Sequence, residues 1–327
     1  MQQQYTIPTK SGFANMLVNR GGLENKGLEI GLDITAIDKG DFNLSFGGNI
    51  SFNKSKIENL GLVPGDILMS DGMGGYANQQ IASYLGNVPS RGNSIKFPIN
   101  IFMEGHEVAL FYGWKTDGLF QSGDTMYPIN GSMSQPGDIK VLDLNGDGVV
   151  DLADRTVIGN PNPDYVYGFN VNLSYKGFSM RALFNGVEGN EIVNGNYYRF
   201  GWAEGTYRNI LADAWYDRWT PDNTSAAYPR LGYSANLFGA LMDRVIEDGS
   251  YLRLKSITLN YDIPLSNNNF IDAANVYITG SNLFTWTDYS GYDPEITTFL
   301  WDGLLQGTDW NNKPNSRSVL VGVNLNF

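Results

Sequence analysis

Residues 143–154 read Asp143-Leu144-Asn145-Gly146-Asp147-Gly148-Val149-Val150-Asp151-Leu152-Ala153-Asp154. Asp143, Asn145, Asp147, Asp151 and Asp154 put oxygen ligands at positions 1, 3, 5, 9 and 12 of a twelve-residue calcium loop. Gly148 stands at position 6, where such a loop turns sharply, and Val149 offers its carbonyl at position 7. A hard dication needs roughly six to eight oxygens, which carboxylates on every second residue supply. Without an ion, the four Asp side chains would repel one another within the loop. The expectation is a structural Ca2+. Asp154 replaces the usual Glu at position 12, and its shorter arm reaches less far. No strong helix pattern precedes the loop, so a helix-loop-helix switch is not expected. An Asx-turn loop that holds no ion is the other reading.

Other reaction chemistry is hard to assemble. The chain has one His, His106, and no Cys. A His-based triad, a multi-His zinc site and a thiolate metal site therefore cannot be built from it. No pair of carboxylates is marked by context as a hydrolytic pair. The expectation is no catalytic residue and no enzyme. Tyr197, Tyr198, Trp202, Trp301 and Trp310 fall in predicted loops, as do Trp215 and Trp219. The first five are candidates for contact with substrate or partner, because aromatic faces stack on sugar rings. Packing inside long loops would use the same residue types. A formal net charge of -12 argues against a nucleic-acid partner, which needs a basic face.

The elements that must carry these residues are strands. Leu28, Ile30, Leu32, Ile34 and Ala36 alternate with Glu29, Gly31, Asp33 and Thr35. A turn at Lys39-Gly40-Asp41 leads into Phe42, Leu44, Phe46, Gly48, Ile50 and Phe52, set against small uncharged polar residues. Residues 56–93 read as a loop, 94–103 as a weak strand and 108–114 as a better one. Tyr165, Tyr167, Phe169, Val171, Leu173 and Tyr175 alternate with Gly168, Asn170, Asn172 and Ser174. After a turn at Lys176-Gly177 the chain returns through Phe178, Met180, Ala182 and Phe184. Aromatics at both strand ends with aliphatics between are the girdle layout of a membrane barrel. Residues 251–263 form a strand whose halves are out of phase, which predicts a bulge or an exit from the lipid zone there. Val276 and Ile278 mark another strand, and Val319, Val321, Val323, Leu325 and Phe327 share one parity at the end. Long excursions span 115–164, which carries the calcium-type loop, and 188–248. In the second, Ile210, Leu211, Ala214 and Trp215 have helical spacing, and Pro221 closes the run.

Short turns thus alternate with long loops. The predicted class is all-β: an antiparallel transmembrane β-barrel segment of about eight strands, with long extracellular loops and a short loop helix. Mean hydropathy is -0.26. No apolar run approaches the roughly 18 residues of a spanning helix, which leaves a barrel open. A soluble β-sandwich with one wet face is the competing architecture. The first residues, Met1-Gln2-Gln3-Gln4-Tyr5, lack the basic and apolar regions of a signal peptide.

Several segments together resemble the SusC/RagA family of TonB-linked (TonB-dependent) outer-membrane proteins of Bacteroidota. They are Asn19-Arg20-Gly21-Gly22-Leu23-Glu24-Asn25-Lys26-Gly27-Leu28-Glu29, then Gly137-Asp138-Ile139-Lys140 followed by residues 143–155. Ile158-Gly159-Asn160-Pro161-Asn162-Pro163 and Tyr167-Gly168-Phe169 come next. Trp219-Thr220-Pro221-Asp222-Asn223, Tyr228-Pro229-Arg230, Tyr251-Leu252-Arg253-Leu254-Lys255, Asn282-Leu283-Phe284 and Gly291-Tyr292-Asp293-Pro294-Glu295 complete the order. The resemblance covers nearly the whole chain. It implies the C-terminal portion of a barrel of 22 strands in the cell outer membrane, its outer face against lipid. It also implies import of glycans or peptides with a SusD-like surface lipoprotein, driven by the TonB complex through an N-terminal plug and TonB box. This chain shows no plug or TonB box, so the expectation is a fragment that does not transport alone. A secreted calcium-stabilised β-domain that binds glycans is the alternative, and a hydrolase is a third.

Overall fold

The computed structural model describes residues 2–6, 9–13, 15–19, 21–61, 69–70, 76–77, 82–83, 99–201, 209–232, 241–265, 270–295, 298, 306–310 and 312–327. Seven long strands form one antiparallel sheet: β1 Gly22–Lys39, β2 Phe42–Asn59, β3 Tyr165–Tyr175, β4 Phe178–Glu188, β5 Tyr251–Asp262, β6 Ala273–Thr287 and β7 Ser318–Asn326. Their spatial order is their chain order, so the sheet is a simple up-and-down meander. It counts seven strands where about eight are expected from the sequence. The difference lies in 94–103 and 108–114. Asn100–Phe102 and Leu110–Trp114 are strands, but they join a separate four-stranded sheet with Arg155–Gly159 and Ala82–Ser83. Residues 94–98 lie outside the described part. Among the described residues, β1 and β7 each keep one unpaired edge.

The alternation in sequence becomes two faces through the register. Phe169 pairs with Phe184, Val171 with Phe46 and Ala182, and Leu173 with Leu44 and Met180. Ile257, Leu259, Val276, Ile278, Val321 and Val323 continue the same face across the sheet. Many of these side chains are exposed: Leu259 keeps 48% of its surface and Val321 71%. This apolar face is bounded by aromatic rows. Phe42, Tyr175, Phe178 and Tyr261 line the short-turn end, with ring centroids 6.2 Å apart for Phe42–Tyr175 and 4.3 Å for Phe178–Tyr261. Phe52, Tyr165 and Tyr167 line the other end. The eleven residues of β3, at ~3.3 Å rise and ~45° tilt, cover about 25 Å. The Tyr167 ring lies over Gly186, where a Cβ would come within 2.3 Å of it, so a side chain there would displace the ring.

The phase change in β5 is a bulge. Phe184 pairs with Leu254 and Leu183 with Ser256, so Lys255 is skipped. Short turns join β1 to β2 and β3 to β4, with Gly40 at φ 57° and Lys176 and Gly177 at φ 47° and 83°. The long connections 60–164, 189–250 and 288–317 all leave the opposite end.

Those three connections share one core. Phe111, Trp114, Phe120, Ile139, Val141 and Val150 come from the first. Val193, Tyr198, Trp219, Leu241, Met242 and Val245 come from the second, and Trp310 from the third. A three-stranded sheet stitches them further: Glu191–Asn194 pairs with Ile246–Asp248 and, in parallel, with Thr308–Asp309. The helical spacing after residue 210 produces α2 Ala212–Tyr216, and a second short helix, α1 Gly195–Phe200, is capped by Asn194. The 115–164 and 188–248 excursions thus contribute to one loop module. Among the described residues, no helix is long and apolar enough to cross a membrane.

Candidate functional site

The calcium-type loop sits on the rim of this module, between the strand Ile139–Val141 and the 3-10 helix Leu152–Asp154. Its back is anchored. Val150 is fully buried and exchanges backbone hydrogen bonds with Pro128 and Asn130, and Trp114 Nε1 donates to the Asp151 carbonyl at 2.9 Å. Its front is a chain of turns in which each acidic or amide side chain accepts from a nearby N–H. Asp143 accepts from Gly146 at 2.7 Å and Gly148 at 2.8 Å. Asn145 accepts from Asp147, and Asp147 from Val149, both at 2.9 Å. Gly146 and Gly148 adopt φ 76° and 84°, where a side chain would be strained.

Asp154 closes the loop. It is fully buried, its Oδ1 accepts from Leu144 at 2.8 Å and Asn145 at 3.3 Å, and its Oδ2 accepts from Asp151 at 2.8 Å. Asp151 returns a bond from Ala153, completing a capping box. The donor set fits Ca2+ in type, order and turn geometry. The arms, however, point at backbone N–H groups. Among the described residues no group of three or more His, Cys, Asp or Glu side chains is gathered as a metal site. Coordination would require the Asp143, Asp147 and Asp151 arms to swing inward.

The aromatic candidates divide. Tyr198 and Trp310 are buried, 2% and 9% exposed, with ring centroids 6.0 Å apart. They are core side chains, which corrects the expectation of substrate or partner contact. Tyr197 is half-buried against Tyr228, ring to ring at 5.8 Å, and burial followed by the Tyr197 neighbour pushes the Tyr228 hydroxyl up to about 12. Trp202 and Trp301 lie outside the described residues. Among the described residues, the exposed aromatics of the module are others: Trp215, with the Arg218 guanidinium 4.3 Å from its ring centre, Tyr216 and Tyr292.

One polar node joins the module to the sheet and a second ties the module's connections to one another, and sequence reasoning assigned neither a role. At the long-loop end of β5, Arg253 is 2% exposed and binds Thr285 Oγ1, Asp293 and Glu295. Asp293 also accepts from the N–H groups of Glu295 and Asn315, and Lys255 reaches Glu295 at 3.2 Å. Burial pulls the Asp293 carboxyl upward, but the Arg253 and backbone bonds outweigh it and hold it below its ordinary value. In the second node, buried Tyr289 donates to buried Asp309 at 2.8 Å, and Glu247 accepts from Asn194 and from the Ser290 N–H and hydroxyl. Burial raises Asp309 above the usual carboxylate range despite the Tyr289 bond. The legible signal was the odd phase of Arg253 in β5 together with the Asp293-Pro294-Glu295 sequence.

No family model matches the chain. Two TonB-dependent receptors of Formosa agariphila are each 32% identical over 98% of this chain. The TonB-dependent receptor SusC of Bacteroides thetaiotaomicron is 28% identical over 98% of it. Among solved structures, the RagAB peptide importer in its open-open state superposes with a TM-score of 0.71 at 24% identity, over 100% of this chain and 31% of that one. The RagAB peptide transporter gives 0.70 at 23% identity. The chain spans about a third of the length of the curated relatives it matches, 31% and 30% for the two from Formosa. Over 98% of its length the chain is homologous to TonB-dependent receptors, SusC among them, and it carries the fold of about a third of such a receptor.

Proposed function

We propose that the chain forms part of the barrel wall and the outer loop module of an outer-membrane importer. The seven-stranded sheet would stand in the bilayer with its apolar face against lipid and its aromatic rows at the two interfaces. The long-loop end would face outward, as it does in outer-membrane barrels. In the whole receptor the cargo would be a glycan or a peptide, the partner a SusD-like surface lipoprotein, and the energy source the TonB complex. The names of the relatives support a receptor or transporter rather than an enzyme. The carrying observation is the exposed apolar face bounded by aromatic rows. A secreted glycan-binding domain would bury that face in a core, and here it is open. Nitroxide labels at Val171 and Leu173 test the reading in reconstituted bilayers. Relaxation by oxygen is expected, and relaxation by a water-soluble nickel chelate would overturn it.

We further propose that the 143–154 loop takes up Ca2+ as a structural ion, held by Asp143, Asn145, Asp147, Asp151 and Asp154 with the Val149 carbonyl. Donor order and the two left-handed glycines support this. The backbone-directed arms support a second reading, a loop closed by its own hydrogen bonds. Calorimetric titration decides between them: saturable Ca2+ uptake lost in Asp143→Ala with Asp147→Ala supports the ion. Unchanged protease sensitivity of residues 138–164 with and without a chelator supports the self-closed loop.

A further inference from the structure

The polar face of the sheet carries few charges, and their placement is uneven. Register puts Ser45, Asn172, Arg181, Thr258 and Thr279 in one cross-strand row. The next row toward the short turns holds Asn43, Ser174, Ser179 and Asn260. Arg181 is the one cation among the described residues in these rows, and it has no ion pair with any described residue. The acidic groups on this face lie away from it. Glu29, Asp33 and Asp38 are on β1, and the Asp33 carboxylate sits over Gly47 beside Asn170. The β1 backbone is three inter-strand spacings from β4, roughly 14 Å, while the Asp33 carboxylate itself reaches across β2 toward β3. Asp262 lies further along β5, bonded to Asn260 at 3.0 Å. The Arg253 guanidinium at the other end is already taken up by Asp293 and Glu295.

Arg181, itself exposed, borders an open depression of about 250 Å3 lined by Asn43, Asn172, Ser174, Ser179 and Thr258 together with the apolar Leu173 and Met180. The walls are already ordered: Asn172 donates to Asn170 at 2.8 Å and to Ser45 at 3.5 Å, and the Thr258 and Thr279 hydroxyls are 2.9 Å apart. A guanidinium with two parallel N–H groups, flanked by neutral hydroxyls and amides, matches a carboxylate in shape and charge.

We propose that Arg181 anchors a carboxylate-binding site on the polar face of the wall. The proposal rests on the reading of this sheet as part of the wall of a longer membrane protein, but not on what that protein imports. The carboxylate could be dissolved, or carried by an acidic side chain of another part of the full-length protein, and the test separates the two. In the full-length protein in detergent, succinate is titrated calorimetrically against uncharged succinamide at matched ionic strength. Binding of succinate but not succinamide, weakened about tenfold or more in Arg181→Gln and partly kept in Arg181→Lys, supports a dissolved carboxylate. If succinate does not bind, melting decides. Arg181→Glu melting well below Arg181→Gln, with the gap closing at about 1 M salt, supports a carboxylate held within the protein. Far-ultraviolet dichroism of each variant establishes that it folds. Succinate binding that survives Arg181→Gln, or no binding with all variants melting like the parent, overturns the proposal.

Discussion

The wall sheet and the loop module use the same apolar residue types in opposite ways. In the wall they stand outward on long regular strands: Leu32 is 61% exposed, Val319 64% and Phe178 59%. In the module they point inward from short irregular pieces, and Phe111, Trp114, Phe120 and Val150 are fully buried. The module is stabilised as a soluble protein is, by removing apolar surface from water. The wall gains little that way by itself. Its strands are joined by backbone ladders and cross-strand pairs, such as the stacked Phe169 and Phe184 rings 4.5 Å apart. Its apolar face needs a non-aqueous surrounding. One chain therefore contains two stability regimes, and they meet at the Arg253 node.

Substitutions should separate the regimes. Trp114→Ala is expected to cost the module about 3–5 kcal/mol and to open it to protease while strands β3 and β4 keep their hydrogen-exchange protection. Loss of protection in both regions together would mean that the two regions unfold as one. Arg253→Ala leaves buried Asp293 without its cation and should cost about 3 kcal/mol or somewhat more, read as earlier release of residues 288–317. If that segment keeps its protection, the node does not join the regions. Val171→Arg puts a charge in the middle of the apolar face, and about 2–4 kcal/mol of destabilisation is expected in bilayers. Asn172→Arg, one residue along on the polar face, should cost much less, and equal costs would erase the distinction between faces.

The pH dependence should be smaller and of two signs. Asp309 has a raised folded value, so its contribution is full below the ordinary carboxylate value near 3.9 and is lost as pH rises through the folded value. Asp293 has a lowered folded value, so its contribution is present above that ordinary value and is lost as pH falls through the folded one. Thermal melting of Asp309→Asn should therefore show less loss of stability above pH ~4 than the parent. A parallel shift at every pH would remove the assigned ionisation.

The sequence made the wall legible because its signal is local. Alternation over eleven residues in β3 fixes both faces, the Lys176-Gly177 turn fixes the return, and the phase change in β5 marks an irregularity that the register places at Lys255. The module was hidden for the complementary reason. Its strands run two to five residues, too short for a period to register, as in Pro128–Ile129 and Leu110–Trp114. Residue type also could not distinguish an aromatic that packs from one that binds. Tyr198 and Trp310 meet across more than a hundred positions, and only their neighbours show that they are core. The calcium-type loop was legible in its turns, because Asx chemistry and the two glycines act within a few residues.

The placement of all long connections at one end has a kinetic consequence. The hairpins β1–β2 and β3–β4 close through short turns and can form as soon as their residues are available. The module cannot close so early, because Phe111 and Val193 must wait for Trp310, which lies in the last connection before β7. Contacts of such sequence separation carry a large loop-closure entropy and form late. The module core thus acts as a checkpoint on assembly, complete only when the sixth strand has been laid down and the chain has returned toward the seventh.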